Sequence, residues 1–225
     1  MRVQSNTFFP KVCLSLRVKN DENCTKCFCL CKNEIRNMIR LAIFASGNGG
    51  NAENITRYFS SSNEIKPVIF VSNKKEASVH ERARNLGIPS YTFSKNEFDE
   101  GTPIVEKLRE YEVDFVVLAG FLLKISQPIL DAFPDKIVNI HPALLPKFGG
   151  KGMYGNHVHR AVVEAGERES GITIHYVNEN YDEGNIIFQA KCEVLSSDTS
   201  DDVAKKVSEL EYEWFPRVIE GILKN

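Results

Sequence analysis

Apolar and polar positions follow two alternating patterns along the chain from Met38 onward. Short apolar runs predict buried strands, and longer segments with apolar residues three and four apart predict helices. Strands are predicted at residues 39–45, 67–71, 114–119 and 136–140, and helices at 51–60, 76–86, 103–111, 126–132 and 156–165. Such alternation is typical of a doubly wound α/β fold, in which a mostly parallel sheet carries helices on both faces.

The pattern changes near the C-terminus. The segments "GITIHYV" and "NIIFQAKCEV" flank the turn-rich "NENYDEGN", so they predict an antiparallel hairpin. Ser200 or Asp201 can cap the start of a last helix over residues 201–223.

The first 37 residues show no sustained periodicity and hold five of the six cysteines, namely Cys13, Cys24, Cys27, Cys29 and Cys31. We expect residues 1–37 to be a disordered or non-native extension and residues 38–225 to form one domain that begins at Met38. Cys27, Cys29 and Cys31 follow each other at spacings of two, whereas zinc ligands usually come as cysteine pairs separated by a longer loop, and His157 and His159 stand two apart instead of four. We therefore expect no metal site.

Composition narrows the class of protein further. The chain of 225 residues is 42% hydrophobic and 26% charged, with a formal net charge of -2, so we expect no nucleic-acid partner. No apolar run reaches the roughly 20 residues that cross a bilayer, so we expect no membrane partner. A main body with one cysteine argues against a disulfide framework and predicts a cytoplasmic protein. We expect a monomer or a homodimer.

The first predicted strand runs directly into "SGNGGN" (residues 46–51) and then into a helix. Glycines allow backbone N–H groups to approach an anion, and a helix N-terminus favours negative charge. Gly47, Gly49 and Ala52 fit a dinucleotide-binding pattern, but no acidic residue follows the second strand to hold a ribose. A monophosphate site therefore fits better than a dinucleotide site, and the alternative is a tight turn that binds nothing.

The segment "NIHPALLP" (residues 139–146) places two polar residues at the end of an apolar strand. Asn139 and His141 share one strand face, and Pro142 directs the chain out of the sheet. Asp182 in the predicted hairpin turn would complete an amide, an imidazole and a carboxylate, a set suited to acyl-group chemistry without a covalent intermediate. The alternative is that each residue serves only the local structure.

Six segments in this order, "SGNGGN", "VVLAGFLLKI", "NIHPALLPKF", "HVH", "GITIHYV" and "YDEGNII", resemble the folate-dependent phosphoribosylglycinamide formyltransferase family. The resemblance runs from Ile39 to the last helix. It implies a formyltransferase fold and transfer of the formyl group of 10-formyltetrahydrofolate, a co-substrate, to the amine of 5'-phosphoribosylglycinamide in purine biosynthesis. Both partners are small molecules.

The resemblance also implies roles for individual residues. The catalytic trio of the family falls on Asn139, His141 and Asp182, and a glutamate that contacts the ribonucleotide falls on Glu211. The phosphate loop falls on Gly49, Gly50 and Asn51, and the folate-binding segments fall on Leu122, Leu123, Lys124, Ile125, Glu179, Asn180 and Tyr181.

The chain departs from the family at two places. Gly101 stands where some members carry an arginine that helps to hold the folate, and "KFGGKGMYGNHVH" is longer than the corresponding loop of many members. Alternative functions are formyltetrahydrofolate hydrolase and methionyl-tRNA formyltransferase, which share the trio but carry a further domain. A non-catalytic nucleotide-binding module is a third alternative.

Overall fold

The computed structural model describes residues 38–224. Seven strands form one sheet in the order β3-β2-β1-β4-β5-β6-β7. The strands are β1 (Ile39–Phe44), β2 (Ile65–Ser72), β3 (Ser90–Thr92), β4 (Phe115–Leu118), β5 (Ile137–His141), β6 (Glu169–Tyr176) and β7 (Ile186–Glu193). β1 to β5 are parallel, whereas β5 pairs with β6 and β6 with β7 in antiparallel fashion. The predicted mixed sheet is confirmed.

Seven α-helices connect or cover the strands within residues 38–224. They are α1 (Gly50–Tyr58), α2 (Val79–Leu86), α3 (Lys95–Glu100), α4 (Thr102–Glu110), α5 (Gln127–Ala132), α6 (Asn156–Glu164) and α7 (Ser200–Lys224). None of the helices in this part of the chain is long and apolar enough to cross a membrane.

The core lies on both faces of the sheet because successive strand side chains point to opposite sides. Leu41 and Ile43 of β1 pack with residues of α1, α2, α6 and α7 on one face, and Ala42 and Phe44 pack with residues of α3, α4 and α5 on the other. These four side chains of β1 are fully buried. The apolar pattern of the strands thus reflects burial on two sides.

The predicted bounds of β2 and of the last helix were too narrow at both ends, and two short elements were missed. β2 begins at Ile65, before Pro67, and the register shifts between Leu41 and Ala42 opposite this proline. Pro67 has no N–H to donate, so the irregularity absorbs the missing ladder bond. The missed elements are β3 and α3, and α3 begins with a capping box between Ser94 and Glu97.

Candidate active site

A cleft of about 620 Å³ opens at the carboxyl ends of β1, β4 and β5. Open parallel sheets bind ligands at this edge, where loops leave the strands. The lining comes from the loops that follow β1, β4 and β6, the end of β5, the loop before α6, part of α6 itself and one side of α7. Asn139, His141 and Asp182 all line it.

Asn139 is oriented by a histidine on the neighbouring strand. Asn139 lies opposite His175 in the β5–β6 pairing, and its Nδ2 donates to His175 Nε2 at 3.1 Å. His175 Nδ1 lies 2.8 Å from the carbonyl oxygen of Tyr176. The carbonyl can only accept, so Nδ1 carries the proton and Nε2 is the acceptor for Asn139. This arrangement fixes the amide and leaves its Oδ1 and second N–H for a ligand.

His141 ends β5 and is only 3% exposed. Its Nε2 donates to the carbonyl oxygen of Phe148 at 2.8 Å, and its Nδ1 lies 3.5 Å from Asp182 Oδ2. Burial lowers the pKa of His141 below its usual value, although the Asp182 carboxylate and the Phe148 carbonyl both oppose that shift. The neutral ring is therefore favoured, and proton uptake at Nδ1 would create an ion pair with Asp182.

Asp182 has a left-handed backbone with φ of 56° in the loop between β6 and β7. Its Oδ2 accepts a hydrogen bond of 2.8 Å from Gly150 N, and its Oδ1 lies 3.7 Å from His175 Nε2. Burial raises the pKa of Asp182, but the contacts with His175, His141 and Gly150 N–H outweigh burial and leave the pKa below its usual value. Asp182 is thus a carboxylate placed between two imidazoles.

The glycine loop after β1 leads into α1 through Gly49, the N-cap residue, whose φ is 73°. A Cβ atom at Gly49 would lie 2.7 Å from Val79 Cγ2, so both the backbone and the space require glycine. Asn48 Oδ1 accepts from Gly50 N at 2.9 Å, and Arg82 Nε donates to Asn48 O at 2.6 Å. α2 therefore braces this loop.

Asn51 and Glu211 meet across the cleft wall. Asn51 Nδ2 donates to Glu211 Oε2 at 2.9 Å, and burial raises the pKa of Glu211 while the Asn51 contact opposes that shift. Asn51 Oδ1 is buried without a hydrogen-bond partner in the described part of the chain. The structure therefore brings the predicted phosphate loop and Glu211 together beside an acceptor, Asn51 Oδ1, that has no hydrogen-bond partner in the described residues.

The residues predicted to bind the folate lie in three different environments. Leu122 and Tyr181 line the cleft, and Leu122 N donates to Ser46 Oγ at 3.0 Å. Ile125 is buried in the core, and Leu123 packs against it. The side chains of Lys124, Glu179 and Asn180 are exposed to solvent.

Gly101 joins α3 to α4 with φ of 72°. A Cβ atom there would lie 2.9 Å from Ser126 Oγ and from Pro128 Cβ. An arginine cannot replace this glycine without a shift of the backbone or of α5. The local packing thus explains why this chain has a glycine and not an arginine at residue 101.

Sequence reasoning did not assign His159 or Lys151 to the cleft. His159 of α6 is 6% exposed, and Lys151 is the only residue among those lining the cleft with a lysine or arginine side chain. The register of β5 against β6 would have paired His175 with Asn139, but "HVH" alone does not show which histidine turns inward. No group of three His, Cys, Asp or Glu residues within residues 38–224 is arranged to hold a metal ion. The cysteine-rich segment lies outside the described residues.

The chain belongs to the formyl transferase family, which residues 39–219 match. Within this family it is similar to proteins named phosphoribosylglycinamide formyltransferase. The chloroplastic protein of Arabidopsis thaliana is 45% identical over 81% of this chain and 65% of its own length. The Bacillus subtilis protein is 37% identical over 83% of this chain and 95% of its own length.

A solved structure agrees with the sequence comparison. The phosphoribosylglycinamide formyltransferase of Streptococcus pneumoniae is 36% identical, with a TM-score of 0.73 over 82% of this chain and 99% of that chain. The fold is thus the formyltransferase fold. The chain spans 65% of the length of the Arabidopsis relative.

Proposed function

We propose that the protein transfers the formyl group of 10-formyltetrahydrofolate to the amine of 5'-phosphoribosylglycinamide, a step of purine biosynthesis. The observation that carries the proposal is the convergence of Asn139, His141 and Asp182 in a cleft that begins at a glycine loop. The similarity to proteins named for this reaction supports it.

The ribonucleotide binds along the wall formed by α1 and α7. Its phosphate lies at Gly49, Gly50 and Asn51, where the first turn of α1 presents backbone N–H groups and a positive dipole end. Asn48 Oδ1, which accepts from Gly50 N–H, gives way to a phosphate oxygen. Glu211, held by Asn51, contacts the sugar.

The folate binds against the loop after β4 and the loop between β6 and β7. Leu122 and Tyr181 supply the cleft surface, and backbone groups of residues 122–125 and 179–181 hold the pterin. The folate supplies the formyl group. Ionised Asp182 and the neighbouring imidazoles place the reacting atoms between the two binding regions.

Asn139 and His141 stabilise the negative charge that develops on the formyl oxygen as the amine attacks. Asn139 uses the N–H that His175 leaves free, which is already oriented before the reaction. The developing charge favours the protonated ring of His141, and Asp182 stabilises the proton at Nδ1. Asp182 accepts the proton that the amine loses, directly or through water, and returns a proton to the leaving nitrogen of the folate.

Formyl transfer by the purified protein tests the proposal. With both substrates present, we expect one N-formyl product and one tetrahydrofolate for each formyl group consumed. Without the ribonucleotide, we expect no formyl release. Formate release that needs no ribonucleotide would instead indicate the hydrolase, and formylation of methionyl-tRNA would indicate the tRNA enzyme.

We propose that the protein is a monomer or a homodimer and that it works in the cytoplasm. We expect the protein in the cytoplasm, and fluorescence from a tagged full chain tests this, with plastid or other organelle signal as the contrary result. The localisation measurement is needed because the Arabidopsis relative is named chloroplastic.

A further inference from the structure

His159 is a buried histidine of the cleft that the proposed mechanism does not use. Its ring lines the same cleft as Asn139 and His141 and is 6% exposed. Nδ1 is sealed from solvent without a hydrogen-bond partner in the described part of the chain. The ring therefore holds one buried nitrogen without a hydrogen-bond partner in the described structure.

The other two buried histidines of the cleft region differ in this respect. His141 has the Phe148 carbonyl on one nitrogen and Asp182 near the other, and His175 bonds Tyr176 O and Asn139 Nδ2. Buried polar atoms without a partner are rare in folded proteins and destabilise them. A ligand that enters the cleft can supply the partner that His159 lacks.

The position of His159 favours the ribonucleotide over the folate. α6 packs against α7, and α7 packs against α1. α7 also contributes Ser208 and Glu211 to the cleft lining. His159 thus belongs to the wall that continues from the glycine loop, whereas Leu122 and Tyr181 lie on the loops after β4 and β6.

We infer that His159 is a substrate-binding residue whose imidazole hydrogen-bonds the uncharged middle of the ribonucleotide, its ribose and glycinamide groups. This inference rests on the proposed function. Burial, and to a smaller extent the neighbouring His141, lower the pKa of His159, so the ring is a neutral partner suited to hydroxyl and amide groups. The phosphate is left to the glycine loop.

The test compares His159→Met, which keeps the volume and removes both nitrogens, with His159→Gln, whose amide can still hydrogen-bond a ligand in the cleft. Calorimetry on the full chain measures binding of 5'-phosphoribosylglycinamide and, separately, of the folate. We expect His159→Met to weaken ribonucleotide binding about tenfold, as for one lost hydrogen bond, and to leave folate binding unchanged. We expect His159→Gln to recover most of the affinity. The matched control is His157→Gln on the exposed side of α6, which should bind both ligands as the wild type does.

Two further measurements separate the possible outcomes. The ligand-free His159→Met protein should be at least as stable as the wild type, because the substitution removes an unsatisfied buried polar group. In the wild type, the ¹⁵N resonances of His159, assigned by their loss in His159→Gln, should shift with the ribonucleotide and not with the folate. Unchanged resonances, or unchanged ribonucleotide affinity of His159→Met, would overturn the inference. A wild type that binds no ribonucleotide would instead overturn the proposed function.

Discussion

At the scale of single residues, the cleft holds its polar groups in place before any ligand is bound. Asn139 is fixed by His175, and Asp182 is fixed by Gly150 N–H between two imidazoles. Groups that are already oriented toward developing charge need no reorganisation during the reaction. Asn139 and Asp182 should therefore affect catalysis more than ligand binding.

Asn139→Ala tests this expectation directly. We expect kcat to fall about a hundredfold or more while both dissociation constants stay close to those of the wild type, because the amide N–H strengthens its contact only as charge develops. Steady-state kinetics and calorimetry measure the two effects. Asn156→Ala, which removes an exposed side chain bonded to Asp201, is the control. Equal losses in binding and in kcat would show that Asn139 holds the ligand instead of the transition state.

Asp182→Asn tests the electrostatics of His141. Burial already lowers the pKa of His141 and Asp182 opposes that shift, so loss of the carboxylate should lower the pKa further. If the protonated ring assists the reaction, activity is lost as pH rises through this pKa. In Asp182→Asn that loss should occur at lower pH, together with a lower maximal rate. The measurement is kcat against pH for both proteins. Superimposable profiles would show that Asp182 does not influence the pKa of His141 that controls activity.

At the scale of elements, periodicity predicts long segments and misses short ones. The alternation of strand side chains placed Asn139 and His141 on one face, and the hairpin of β6 and β7 was predicted from its turn. β3 has three residues, which is too few to show a period, whereas the Ser94–Glu97 capping box was a usable signal for α3. The approach of Asp182 to His141 depends on how the hairpin closes over the sheet edge, which local pattern does not determine.

Gly49 tests whether the glycine loop is shaped by space as well as by backbone conformation. Gly49 and Gly87 have φ of 73° and 68°, but a Cβ atom meets Val79 at Gly49 and nothing within 4 Å at Gly87. We expect Gly87→Ala to lower the free energy of unfolding by about 1 kcal/mol through backbone strain alone, and Gly49→Ala to lower it by more. Urea unfolding measures this difference.

The same variant tests the role of the loop in binding. Gly49→Ala should weaken ribonucleotide binding far more than folate binding, because the added Cβ collides with Val79 and displaces the loop. Equal loss of both ligands in a folded protein would make the loop merely structural.

At the scale of the whole molecule, the family match covers the complete sheet of the described chain. The match spans residues 39–219, which contain all seven strands of that sheet. We therefore expect a protein that begins at Met38 to keep the melting temperature and the formyl-transfer activity of the full chain. Calorimetric melting and the transfer assay on both proteins check this. A clear fall in melting temperature would show that residues 1–37 contribute to the fold.

The stability of the molecule should depend on pH through its buried histidines. Burial lowers the pKa of both His141 and His159, so the unfolded chain takes up protons below about pH 6.5 that the folded chain does not. The free energy of unfolding should therefore fall as pH falls from about 6.5 toward the lowered values, by up to about 1.4 kcal/mol per pH unit for each ring. Ionised Asp182, whose pKa is lowered, loses its contribution only at more acidic pH.

Urea unfolding between pH 7 and pH 5 measures this slope for the wild type, His159→Met and His157→Met. His159→Met should show the shallower slope because one of the two buried rings is gone, while His157→Met, changed on the exposed side of α6, should match the wild type. Glu211, whose pKa burial raises, acts in the opposite direction in all three proteins and cancels in the comparison. If His159→Met loses stability as steeply as the wild type, His159 takes up its proton as readily in the folded state as in the unfolded state. The inference that His159 contacts the ribonucleotide as a neutral ring would then be wrong.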